Sequence, residues 1–363
     1  MHRIYFDHNA TSPLSKNVKE GMISIMDEPF NPSSIHFHGR KSKKIVEDTR
    51  DLIMKVLGLE KSHKAIFCSS CTEANNLVLS NFKEYKKICS GFEHPSVKNM
   101  IKNQDIVLNI KGTIDLNYLR KYLIDHKDKK VLISVMYANN EIGTLQPINK
   151  IVSLAKEFNC LLHCDITQAL GKVILNTKDV DFISFGVHKF GGPVGIAVLL
   201  INRDLHINPI SIGGGQEYGL RAGTQNVISI YGVQKCFEDI ENTIKKFQEV
   251  KKLRDYLEDK ILSMSNKVKI IGSSVLRLPN TSSICMPGID AISQVIFFDL
   301  QGISISAGSA CSSGVTSLSE IYLLMGMSQS DAKSCIRISL STMNTKAELL
   351  YFLECWKKLH LLH

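Results

Sequence analysis

Five short runs between residues 65 and 201 limit what this chain can fold into. AIFCS (65–69), VLISVMY (131–137), LLHCD (161–165), DFISF (181–185) and IAVLLI (196–201) are apolar almost throughout. That is the texture of strands covered on both faces. Helical patterns lie between them. Ser70 stands three residues before Glu73, a capping-box start for a helix to about residue 81. Ile148, Ile151, Ala155 and Phe158 share one face of another. Strands separated by helices predict an α/β fold, with a mostly parallel sheet flanked by helices on both faces.

The texture changes after about residue 226. Residues 229–264 read as one long helix rich in lysine and glutamate, and 265–363 as a second unit of short strands and helices near 318–326 and 346–359. A chain of 363 residues has room for two such domains. The net charge of +9 comes from short lysine groups without interleaved aromatics, so nucleic acid is not an expected partner. No window approaches 18 uncharged apolar residues, so no membrane helix is expected. The N-terminus, MHRIYFDHNATSPLS, lacks the apolar core and cleavage site of a secretory leader. Ten cysteines without a regular framework suggest reduced thiols in a cytosol-like compartment. Cys68 and Cys71 form a CxxC, but no second Cys/His pair accompanies them, so no metal site is expected.

Several positions carry candidate chemistry, each beside a plainer reading. Lys189 follows a buried strand in FGVHKFGGP; such a lysine either snorkels to solvent or, with a lowered pKa, forms an imine with a carbonyl cofactor. Asp165 ends another strand, where open α/β sheets place ligands. It is either a turn aspartate or the partner of a protonated pyridine nitrogen. Gln168 lies one helical turn on, within reach of a phenolic oxygen of such a cofactor. SSCTEANN (69–76) opens a helix whose N-terminus is a ready phosphate site, to which Thr72 adds a hydroxyl. His94 in EHPSV is either a satisfied core histidine or a ring-stacking proton carrier. Arg337, inside the strand-like CIRISL, needs an anion: an internal carboxylate or that of a substrate. Cys311 sits in SISAGSACSSG (304–314), small and polar, where an exposed thiol can react as thiolate.

Taken in order, YFDHNATSP (5–13), NPSSIHFHGR (31–40), SSCTEANN, EHPSV, MYANNEIGTLQPI (136–148), HCDITQALGK (163–172), FGVHKFGGP, GGGQEYGLRAGTQN (213–226) and SAGSACSS (306–313) resemble the cysteine desulfurases of the NifS/IscS type. These are fold-type I pyridoxal-phosphate (PLP) enzymes related to the class V aminotransferases.

The resemblance implies a large domain (13–240) built on a mostly parallel, seven-stranded-type sheet. It also implies a smaller α+β domain (1–12 and 241–363) carrying the cysteine loop. It implies PLP as cofactor, held by Lys189 as a Schiff base, with Asp165 on the pyridine nitrogen and His94 stacked on the ring. Gln168 and Asn140 would contact the phenolic-oxygen side or the substrate. Cys71, Thr72 and His188 would bind the phosphate, together with Thr224 lent by the neighbouring subunit of a homodimer. Arg337 would clamp the carboxylate of L-cysteine, with Asn9 nearby, and Cys311 would attack its sulfur. The products would be L-alanine and a Cys311 persulfide, passed to a sulfur acceptor such as an iron–sulfur scaffold or a tRNA-thiolation protein. The missing targeting segment and the unframed cysteines suggest a cytoplasmic location. Gly186 departs from the family's usual serine, and Val194 from its usual lysine. Selenocysteine lyase, another class V enzyme or a degenerate scaffold paralogue are the competing readings.

Overall fold

The computed structural model describes residues 3–101, 109, 111–308 and 319–361. The strands are β1 (Ile4–Tyr5), β2 (His63–Cys68), β3 (Lys86–Cys89), β4 (Val131–Met136), β5 (Leu161–Asp165) and β6 (Phe182–Gly186). They continue as β7 (Ala197–Asn202), β8 (Lys269–Ile271), β9 (Thr281–Cys285), β10 (Ile303–Ser304) and β11 (Cys335–Ser339). The first helices are α1 (Lys16–Ile23), α2 (Phe37–Leu57), α3 (Cys71–Ser80), α4 (Pro95–Lys98), α5 (Leu116–Asp125) and α6 (Ile148–Glu157). The later ones are α7 (Val227–Glu238), α8 (Ile240–Met264), α9 (Ala291–Leu300), α10 (Glu320–Leu324), α11 (Gln329–Lys333) and α12 (Lys346–Leu361).

Each of the five apolar runs forms a strand of one sheet, ordered β2-β7-β6-β5-β4-β3. Among the described residues this sheet has six strands; the seventh that the resemblance implies is not among them. Strands β3 to β6 are parallel, and β7 is antiparallel to both β6 and β2. The reversal has a simple cause. A parallel crossover takes roughly a dozen residues or more, usually a helix. The link from β6 to β7 is shorter and turns straight back, and Lys189 rides on that turn.

Alternation along β7 puts Ala197, Leu199 and Ile201 on the face covered by Ala74, Leu77 and Val78 of α3. Val198 and Leu200 point to the opposite face, with Ile230, Val233 and Phe237 of α7. α7 packs in turn against α1 and α2. Both faces are therefore dry, which is why these strands read as continuous apolar runs.

The expected single helix over 229–264 is two helices, α7 and α8, broken at Asp239 (φ −110°, ψ 9°). Its carboxylate accepts from Asn242 Nδ2 at 2.9 Å and Thr243 Oγ1 at 3.5 Å. An aspartate bonded forward in this way serves the start of a new helix better than the middle of an old one. Beyond α8, β8, β9 and β11 form an antiparallel sheet ordered β11-β9-β8. The N-terminal segment joins this unit, because β1 pairs with β10 and Asp7 bridges to Ser339.

Candidate active site

Sheet register brings the candidate residues together. Asp165 is opposite Ser184 of β6 and Met136 of β4. Gly186, ending β6, pairs with Ala197, which also pairs with Cys68 at the end of β2. The start of α3, the Asp165 turn, the Lys189 turn and the Asn140 loop therefore all leave one edge of the sheet.

Asp165 is buried. Its Oδ1 accepts from the Thr167 N–H at 2.9 Å; its Oδ2 accepts from Asn75 Nδ2 at 3.1 Å and the Cys71 thiol at 3.5 Å. Burial pushes the carboxyl pKa up, but the bonds from Thr167 and Asn75 outweigh it, so the net shift is downward. Asp165 is thus a buried carboxylate held ionised. Cys71 opens α3, yet its thiol turns toward Asp165 and takes a bond from Thr167 Oγ1 at 3.1 Å. Burial, with the Asp165 charge added, raises its pKa well above the usual thiol value. Only its backbone faces the phosphate-type position at the helix start, beside the exposed Thr72.

His94 caps α4 and takes the Ser96 N–H on Nδ1 at 3.1 Å, which leaves its ring proton on Nε2. Burial, reinforced by Lys189, lowers its pKa. His94 and Asp165 are also joined through side chains, because Asn75 donates to both Ser96 Oγ (2.9 Å) and Asp165. Behind them Asn75 accepts from Ser184 Oγ, which is bonded to His163, which reaches Ser134.

Half-buried Lys189 and His188 follow β6. The His188 ring meets Thr11 Oγ1 at 3.2 Å, and its pKa is lowered to about 4 chiefly by burial, with the charge of Lys189 added. At Gly186 a Cβ would approach His188 Cδ2 to 3.3 Å, so a serine there needs a small shift of the ring. Val194 is exposed on the surface.

The second half of the site comes from the other unit. Arg337, 1% exposed, lies on β11. Its Nη2 donates to Asp7 at 2.6 Å and its Nη1 to the Asn140 carbonyl at 3.0 Å, while Nε is buried with no hydrogen-bond partner among the described residues. The internal salt bridge weighed for this arginine is therefore present, and a donor remains. Asn9 is a junction: Nδ2 donates to the Asn140 carbonyl (3.1 Å) and Thr281 Oγ1 (2.8 Å), and Oδ1 accepts from Asn280 and Lys172. Gln168 Nε2 donates to the Asn9 carbonyl at 2.9 Å.

Cys311 lies outside the described residues. The segment leading to it is fastened to the arginine, since Ser306 and Arg337 exchange backbone bonds of 3.2 and 2.7 Å. Glu141 meets both flanks, accepting from Ser319 Oγ and lying 3.2 Å from where a Cβ on Gly308 would be. Thr224 is exposed, and no hydrogen bond among the described residues joins it to this group.

These residues fit PLP. A pyridine nitrogen needs a carboxylate that stays ionised in a dry place, and Asp165 is one. A ring needs a flat, uncharged neighbour, and His94 is held neutral. A substrate carboxylate needs a buried donor, and Arg337 Nε is one that no described residue occupies. Sequence reasoning passed over Asn75, Ser96, Thr167, Asp7 and Lys172. Two left a trace in spacing: Asn75 is one helical turn from Cys71, and Lys172 one turn from Gln168.

The model of the Aminotransferase class-V family matches residues 4–352. A cysteine desulfurase IscS of Dictyoglomus turgidum is 34% identical over 374 residues, covering 98% of this chain and 94% of its own. The structure of a NifS-like protein from Rickettsia africae superposes with a TM-score of 0.91 at 37% identity, covering 99% of both chains. SspA, solved in complex with cysteine, matches with a TM-score of 0.77 at 25% identity, covering 94% of this chain and 100% of its own.

Proposed function

The chain belongs to the class V aminotransferase family, and from that premise we propose that it is a PLP-dependent cysteine desulfurase. The reaction balances without outside help. The Cβ–S bond of L-cysteine breaks and a bond forms between that sulfur and the Cys311 thiolate. L-Alanine leaves, and Cys311 keeps a persulfide.

The observation that carries this reading is the buried Asp165 carboxylate, held ionised by its donors beside His94, which burial and the charge of Lys189 hold neutral. PLP, when bound, supplies the electron sink for charge developing at the substrate's α-carbon. Lys189 Nζ would hold the cofactor through its aldehyde and would carry the α-proton. Asp165 would hold the pyridine nitrogen and keep it protonated. His94 would hold the ring and offer its Nε2 proton. Gln168 and Asn140 serve the phenolic-oxygen side and the substrate, with Asn9 beside them. Arg337 binds the substrate carboxylate through Nε. The start of α3 at Cys71 and Thr72, His188, and the partner subunit's Thr224 in a homodimer would hold the phosphate.

Residues 13–240 act as the cofactor domain, and 1–12 with 241–363 as the domain that brings Cys311. The pairing of β1 with β10 supports that division. The persulfide passes to an acceptor such as an iron–sulfur scaffold or a tRNA-thiolation protein. A reducing, cytoplasmic setting suits the nine described cysteines, all of them free thiols. Among the described residues no helix is long and apolar enough to cross a membrane.

Cys311→Ala tests the proposal. The variant is expected to bind PLP and to change its visible spectrum on adding L-cysteine, yet to form no alanine. Alanine release at the wild-type rate would show that another group accepts the sulfur.

A further inference from the structure

Lys172 has no part in the reading above, yet it sits inside the site. Its side chain is fully buried on the turn that follows β5. Among the described residues no carboxylate comes within ion-pair distance of it. Its Nζ donates to two oxygens, Gln168 Oε1 and Asn9 Oδ1, each at 3.1 Å. The charged and titratable groups around it are Lys189, Arg337, His8 and His188. Two acceptors suit an uncharged amine, which has two N–H groups; an ammonium would bury a third donor. The surroundings favour the same form, because burial and the charges of Lys189 and Arg337 hold its pKa well below the ordinary lysine value.

The two amides it touches are not equally dependent on it. Asn9 is held on every side, by Asn280, Thr281 and the Asn140 carbonyl. Gln168 is not. Its Nε2 is bonded to the Asn9 carbonyl, and among the described residues only Lys172 reaches its Oε1. Without the lysine, Oε1 is a buried acceptor with no donor, and the amide must turn to find one.

We propose that Lys172 is a positioning residue that fixes the side-chain amide of Gln168, so that an N–H rather than an oxygen is presented to the cofactor. The inference rests on the placement of Gln168 at PLP, and the test separates the two.

PLP-loaded proteins are compared without substrate, reading the rate of PLP release and the pH at which the visible absorbance titrates. Lys172→Met keeps the length and removes the donors. It is expected to release PLP roughly tenfold faster, the loss of about one hydrogen bond, and to shift the titration. Gln168→Leu should do the same, and the double variant should be no worse than either. Lys172→Gln restores a donor without a lysine's basicity and should retain PLP nearly as the wild type does. Release and titration unchanged in Lys172→Met, or effects that multiply in the double variant, would overturn the proposal. A Gln168→Leu protein indistinguishable from wild type would overturn the underlying placement instead. Should Lys172→Met not fold, the Lys172→Gln protein decides: wild-type retention supports donation, and release as fast as Gln168→Leu overturns it.

Discussion

Two buried carboxyls near one another meet opposite fates, because the bonds each receives outweigh burial in one and not in the other. Asp165 takes three and stays ionised. Glu93, 3% exposed, takes the Ser90 hydroxyl at 2.9 Å on Oε1 and gains some help from the Met136 backbone, while Oε2 is buried with no hydrogen-bond partner among the described residues. Burial, helped by the charge of Asp165, pushes its pKa up to about 8. The folded protein therefore binds this proton more tightly than the unfolded chain, whose value is 4.5. Ionisation leaves folding untaxed below about pH 4.5, costs progressively more as pH rises, and levels off above about 8. Glu93→Gln should thus stabilise the protein by roughly 2–4 kcal/mol at pH 8 and by little at pH 4.5. Urea denaturation at the two pH values measures this. An equal difference at both would mean that Glu93 is not carrying the proton.

Among the elements, the segment bearing Thr224 depends on one buried ion pair. Arg50 of α2 donates to Glu217 at 2.8 and 3.3 Å, and also lies over the rings of Phe67 and Tyr218. Glu217 further accepts from the Phe67 N–H and the Gln225 side chain. Both Glu217 and Tyr218 have positive φ, near 49° and 59°, a conformation that only firm outside contacts maintain. Arg50→Met would leave the Glu217 charge buried and unpaired, at a cost of about 3–5 kcal/mol. A urea midpoint unchanged from wild type would contradict this. At this scale the sequence was readable in part. The helix start at Ser70 was legible because capping is local, and the structure has Ser70 Oγ accepting from Glu73 N–H at 3.1 Å. The break at Asp239 was not, because lysine and glutamate run across it without a glycine or proline to mark it. The reversed direction of β7 was also hidden, since a strand covered on both faces looks alike in either direction.

For the whole molecule, the proposed exchange of Thr224 between subunits makes a test of its own. Lys189→Ala chains lack the amine, and Thr224→Ala chains lack the lent hydroxyl. In a mixed dimer one site receives both wild-type groups. Mixing the two variants by unfolding and refolding together at limiting PLP should therefore raise alanine formation above the sum of the separate proteins. No gain on mixing would place Thr224 outside the neighbour's site. The same logic of assembly separates what was readable from what was not. Lys189, Asp165, His94 and Arg337 were visible as candidates because each is a polar residue set against an apolar strand or a turn, a local contrast. Lys172 and Asn75 left only a trace in spacing and Asp7 none, because their meaning lies in partners far along the chain: Lys172 with Asn9, Asp7 with Arg337, Asn75 with Ser184 and Asp165. The sequence by itself determined the alternation of strands and helices, the helix starts and the kind of chemistry, because those follow from periodicity, capping and residue type. Only the tertiary structure decided which carboxyl stays charged, which arginine donor has no partner among the described residues and which lysine is left as an amine. Burial and hydrogen-bond count set those outcomes, and both are properties of neighbours that the chain order does not contain.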